Sequence, residues 1–214
     1  MSGQIYRLDP VSGEAKSLVV FLHGYGTNGQ DLIGLGRHWQ AVLPDTAFVS
    51  PDASEPCAMN PFGGFQWFDL TLRDPSEYWR GVTKAGPALN EFLDQELARL
   101  SLTEEKLALV GFSQGTMMAL HVGVRRAQRL AGIVGFSGKL AGPEHLKEGA
   151  LQKPPVLLVH GSADEVIPVA ALAEAEGALK SEGFAVETHV SQGLGHGIDD
   201  KGLDLGGAFL KRIL

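Results

Sequence analysis

The chain has 214 residues, 44% of them hydrophobic and 20% charged, which suits a single domain over 1–214 with a full core. Its formal net charge of −7 argues against a nucleic-acid partner held by a basic face. The lone cysteine, Cys57, leaves no intramolecular disulfide and no cysteine-rich metal site.

In chain order, "SLVVFLHG" (17–24) is apolar on successive positions, as in a strand buried on both faces of a parallel sheet. It runs into Gly24, Gly26 and Gly29, the G-x-G-x-x-G spacing of a dinucleotide-binding turn. Asn28 and Asp31 are placed to cap a helix carrying Leu32, Leu35, Trp39 and Val42. "TAFVSP" (46–51) is extended, and Asp52 follows the glycines at about the 20-residue interval of a ribose-binding acid. Residues 50–82, rich in proline and aromatic residues, show neither period and read as an excursion over a site.

Residues 85–100 put Leu89, Phe92, Leu93, Leu97 and Leu100 on one helical face. "KLALVGFSQG" (106–115) is the next buried strand, and 116–130 the next helix, with Arg125, Arg126 and Arg129 on its solvated side. "AGIVGFSG" (131–138) and "PPVLLVHGSAD" (154–164) are further buried strands. Helical 169–183, extended "AVETHV" (185–190) and helical 203–214 complete the chain. Strands alternating with helices predict an α/β fold, a mostly parallel central sheet with helices on both faces. No stretch approaches the ~20 apolar residues that span a bilayer. The N-terminus lacks a signal peptide's apolar segment, so the expected location is the cytoplasm.

Chemistry concentrates at Gly111-Phe112-Ser113-Gln114-Gly115. This is G-x-S-x-G with a strand before it and a helix after it, the context of an α/β-hydrolase nucleophile elbow. Ser137 in "GFSGK" lacks the second glycine and reads as a strand-end cap. A serine needs a base to take its proton. Of the seven histidines, His196 in the glycine-rich "SQGLGHGID" stands where the order Ser, acid, His puts the base. His23 and His160 end buried strands and read as structural; His38, His121, His145 and His189 fall on helical, surface or strand segments. Asp164, in the loop after the apolar run 156–159, is the expected acid, with Glu165, Asp199 and Asp200 as competitors. Two N–H donors are expected to hold the oxyanion, those of Tyr25 and Gln114.

Together, "FLHGYG", "GFSQG", "GSADEVIP", "GLGHGI" and "QWFDL" (66–70) resemble the phospholipase/carboxylesterase family, which includes acyl-protein thioesterases and small bacterial carboxylesterases. The resemblance runs from about residue 17 to the end. It implies a Ser113, Asp164, His196 triad, an oxyanion hole of the Tyr25 and Gln114 amides, no cofactor, no metal and no large cap domain. The expected substrate is a small-molecule or lipid ester, hydrolysed by a monomer or homodimer with no nucleic acid and no stable membrane insertion. Phe65, Trp67, Phe68 and Trp79 are candidate walls of the acyl site, or pins for a long loop. The wording of 53–65 departs from that of the thioesterases, and this segment borders the acyl pocket in the family. Two rivals differ in kind: an NAD(P)-binding oxidoreductase using Gly24–Gly29, and a catalytically silent hydrolase scaffold that binds.

Overall fold

A computed structural model describes residues 3–60 and 63–214; Met1, Ser2, Pro61 and Phe62 (the last two within the 50–82 segment) lie outside it. The strands are β1 (Ile5–Leu8), β2 (Ser17–Leu22), β3 (Thr46–Pro51), the short hairpin β4 (Glu55–Pro56) and β5 (Phe65–Gln66), then β6 (Leu107–Phe112), β7 (Gly132–Phe136), β8 (Val156–Gly161) and β9 (Val186–Ser191). All but the hairpin form one sheet in the order β1-β3-β2-β6-β7-β8-β9. Only β1 runs antiparallel, pairing Ile5 with Pro51 at the sheet edge. The helices are α1 (Gly29–Trp39), α2 (Pro75–Leu100), α3 (Gln114–Gly123), α4 (Ala170–Ser181) and α5 (Asp200–Ile213).

Successive apolar residues serve both faces of the sheet. In β2, Leu18, Val20 and Leu22 join a core with the apolar faces of α2, α3 and α4, while Val19 and Phe21 join a second core with Trp39 of α1 and Phe209 and Leu210 of α5. This is the α/β-hydrolase arrangement of a parallel sheet covered on both sides, and it explains why those strands do not alternate. The loops that leave the carboxyl ends of β2, β6, β8 and β9 meet on one rim, where ligands bind in open parallel sheets.

Strand β1 has no counterpart among the expected elements, because four residues with Arg7 among them carry little periodic signal, and two expectations are corrected. Helix α2 starts ten residues before the expected 85, within the segment read as an excursion. Asp74 caps it by accepting from Glu77 N–H at 2.8 Å, Pro75 occupies its first turn, and Glu77 in turn accepts from the N–H groups of Thr71, Leu72 and Arg73. Helix α3 stops at Gly123, well short of 130. The arginines beyond it do not share a solvated face: Arg126 is buried, donating to Asp94 at 2.6 Å, Glu104 at 3.1 Å and Asn90 at 3.0 Å. Three acceptors on the 90–104 stretch draw this side chain inward, and the chain turns off the helix to deliver it.

Candidate active site

Ser113 sits between β6 and α3 at φ 54°, ψ −116°, a strained conformation for a residue with a side chain. The strain is enforced by close packing. A Cβ on Gly111 would lie 2.5 Å from the carbonyl of Gly115, and a Cβ on Gly115 would lie 1.8 Å from the carbonyl oxygen of Leu22. Both glycines of the pattern are therefore required for backbones to touch. Ser113 N–H donates to the Phe136 carbonyl at 2.9 Å, which anchors the turn on β7.

Two loops converge on the hydroxyl. His196, between β9 and α5, places Nε2 3.0 Å from Ser113 Oγ, and its Nδ1 lies 2.8 Å from Asp164 Oδ2. A carboxylate only accepts, so Nδ1 carries the proton and the Nε2 lone pair faces the serine. Asp164 follows β8 and is buried. Its Oδ1 accepts from the N–H groups of Val166 and Ile167, each at 2.9 Å. Burial pushes this carboxyl up, but the bonds from His196, Ile167 and Val166 outweigh it and hold the group below the usual carboxylate value. The competing acids go elsewhere: Asp199 caps α5 through Gly202 N–H at 2.8 Å, and Asp200 begins that helix.

The loop that carries Tyr25 lies against the elbow: a Cβ on Gly24 would sit 3.5 Å from Ser113 Cβ. Gln114 is the first residue of α3, so its N–H has no partner within the helix. Around Tyr25, the turn is held by Gly26 N–H to Phe65 O at 2.9 Å and Phe65 N–H to Thr27 O at 2.7 Å, bonds that leave the Tyr25 amide out. Burial and a hydrogen bond with Cys57 push the Tyr25 phenol up to about 12.

Sequence reasoning overlooked the framework behind these amides. The Gln114 side chain accepts from Trp67 N–H at 2.9 Å and donates to Phe68 O at 2.7 Å, strapping 67–68 against the elbow. The His23 ring donates from Nδ1 to Gly24 O at 2.7 Å and accepts Ala53 N–H on Nε2 at 2.9 Å, an arrangement only a neutral imidazole makes. His160 Nε2 lies 2.8 Å from Ile167 O and 3.2 Å from Asp164 Oδ2, so a second imidazole touches the acid. The strand-end position of both histidines was legible; their partners, distant or across a turn, were not.

The glycine loop of 24–29 is occupied from within. Asp52 Oδ1 accepts Gly29 N–H at 2.9 Å, at the first turn of α1, and Oδ2 accepts Gln4 N–H at 2.8 Å. Asn28 takes Gln30 N–H at 2.9 Å. The helix terminus that a pyrophosphate needs is filled by a carboxylate and an amide of the protein itself, so the dinucleotide reading does not fit this turn.

Of the aromatic candidates, Phe65 is half-buried beside the Tyr25 turn. Trp67 and Phe68 are each 2% exposed: their rings lie in the core, with Trp67 Nε1 donating to His23 O at 2.9 Å and Phe68 packed under Gly81. Trp79 stacks on His145 at 3.9 Å between ring centroids and meets His121 edge-on at 5.3 Å.

His121 Nδ1 is buried with no hydrogen-bond partner among the described residues. Burial, with Arg125 nearby, lowers its pKa from 6.5 to about 4. Between those values the unfolded chain holds a proton that the folded protein refuses, so stability should fall as the pH drops through this window. The loss from this residue is about 3 kcal/mol when complete. Urea titrations at a series of pH values check it: His121→Leu should flatten the slope between pH 6.5 and 4, and an unchanged slope would sink the assignment.

The model of the phospholipase/carboxylesterase family matches residues 7–214. This chain belongs to that family. One relative in it is esterase YpfH of Escherichia coli (strain K12), 30% identical over 190 residues, which cover 88% of this chain and 79% of YpfH. Another is acyl-protein thioesterase 1 of Schizosaccharomyces pombe, 32% identical over 160 residues, or 70% of this chain and 69% of the relative. The crystal structure of esterase PE8 superposes with a TM-score of 0.94 at 46% identity, covering 100% of this chain and 99% of PE8. Like these members of the phospholipase/carboxylesterase family, the protein is a hydrolase of the esterase and thioesterase type. No helix among its described residues is long and apolar enough to cross a membrane.

Proposed function

We propose that the protein is a serine carboxylesterase working through an acyl-enzyme on Ser113. His196 Nε2 takes the hydroxyl proton as Ser113 Oγ attacks the acyl carbonyl, and Asp164 holds the imidazole in the required tautomer and stabilises the imidazolium. The amides of Tyr25 and Gln114 receive the oxyanion. His196 returns the proton to the leaving alcohol, then activates the water that releases the acid. A thioester or a lysophospholipid passes through the same steps, so the substrate class is small-molecule and lipid esters.

The unbroken relay from Ser113 Oγ to His196 (3.0 Å) and from His196 to Asp164 (2.8 Å), set on a strained elbow, carries this reading. Stoichiometric treatment with a fluorophosphonate tests it. Peptide mass spectrometry should find the phosphonyl group on Ser113, and p-nitrophenyl ester hydrolysis should fall in step with labelling. Undiminished hydrolysis by fully labelled protein, or a label on another residue, overturns it. A chain-length series of esters and thioesters then ranks acyl preference.

A further inference from the structure

We infer that Ser137 is a positioning residue for His196, holding the histidine loop at the distance the serine requires; this rests on the reading of His196 as the base. Ser137 follows β7, is fully buried, and adopts φ 45°. That conformation disfavours any residue with a Cβ, and glycine fills it at no steric cost. The chain nevertheless keeps a serine, and its hydroxyl is in use: Oγ donates to the carbonyl of Gly197, adjacent to His196, at 3.0 Å.

The loop needs that tether. Gly193, Gly195 and Gly197 flank the histidine, and a Cβ on Gly193 or Gly197 would meet nothing within 4 Å. Packing holds the loop on either side of the histidine, 194–195 against Gly161 and Ile198 against the second core, and leaves the stretch at Gly197 to the hydrogen bond. Before His196, the loop is held by Ala163 N–H to Leu194 O at 2.9 Å; after it, the Ser137 bond is the hold that precedes the Asp199 cap of α5. Ser137 also joins the other two loops. Its N–H donates to Val159 O on β8 at 2.9 Å, and the residue before it, Phe136, accepts Ser113 N–H at 2.9 Å. Ser137 and its neighbour Phe136 thus tie the strand behind the acid, the turn behind the nucleophile and the loop behind the base.

Ser137→Ala and Ser137→Gly separate positioning from folding. Both remove the hydroxyl, but glycine also relieves the backbone strain. Ester hydrolysis, thermal midpoint and fluorophosphonate labelling rate are measured for both, with His196→Ala alongside. Both Ser137 variants should lose on the order of 10- to 100-fold in kcat with KM within about twofold. The glycine variant should melt above the alanine variant and remain equally slow. The inference is overturned if either variant keeps wild-type kcat, or if kcat recovers in the glycine variant together with its midpoint. Wild-type activity in His196→Ala marks a different failure, that of the base assignment itself.

Discussion

Ser113→Ala and His196→Ala should each lower kcat by about 10⁴- to 10⁶-fold, and the double variant should be no slower than the worse single one. In the proposed mechanism the two groups act as one device: without the base the hydroxyl keeps its proton, and without the hydroxyl the base has nothing to activate. Residual hydrolysis then comes from the oxyanion amides and binding alone, which neither change touches. Asp164→Asn belongs to the same series and should cost about 10⁴-fold with little change in fold. An asparagine can still take the Val166 and Ile167 N–H groups on its carbonyl oxygen, where Asp164 Oδ1 takes them at 2.9 Å. Its NH₂ then faces His196 Nδ1, selecting the tautomer whose Nε2 proton points at the serine. Steady-state kinetics on the three single variants and the double provide the check. Multiplicative losses in the double variant would mean that the two residues work independently, contrary to the relay.

Gly115→Ala should be the most damaging single methyl in the molecule's elbow. The added Cβ would sit 1.8 Å from the Leu22 carbonyl oxygen, which is backbone and cannot swing away. Either β2 and α3 move apart or the first turn of α3 unwinds, and both displace the amides at Tyr25 and Gln114. A loss of about 3 kcal/mol or more is expected, which for a chain of this size lowers the melting temperature by roughly 6–12 °C. Gly177→Ala in α4 is the matched control: nothing lies within 4 Å of its added Cβ, so helix propensity should make it neutral or slightly stabilising. Circular-dichroism melts decide it. Equal midpoints for the two variants would refute the claim that the elbow glycine is sterically required.

Much of this architecture was legible in the residues. Unbroken apolar runs such as 18–22 and 107–110, too short for a buried helix and bounded by turn residues, pointed to strands covered on both faces. The elbow was legible because strand, G-x-S-x-G and helix are contiguous. His196 and Asp164 were nameable through their order along the chain, and the geometry brings His196 to Ser113 and Asp164 to His196. What remained hidden depends on contacts between distant segments. Gln114 was chosen for its amide, yet its side chain bonds to residues 67 and 68, and no local pattern encodes that. Arg126 looked like part of a basic surface because helical period continues past Gly123; tertiary acceptors overrode it. The start of α2 was missed because its signals, Asp74 as cap and Pro75 in the first turn, lie amid prolines and glycines that read as loop.

Asp52 shows how a spacing can mimic a function. In a dinucleotide fold the acid at that interval reaches outward to a ribose, and the helix terminus stays free for phosphate. Here the acid folds back and acts as a surrogate phosphate, neutralising the helix's positive end with a charge fixed in the chain. The helix terminus is thereby satisfied from within, and a nucleotide arriving there would have to evict a covalently attached competitor. The same test sorts other sequences carrying these glycines: where the downstream acid is tied to the helix's own first N–H, the turn is spoken for and the chemistry lies elsewhere along the rim.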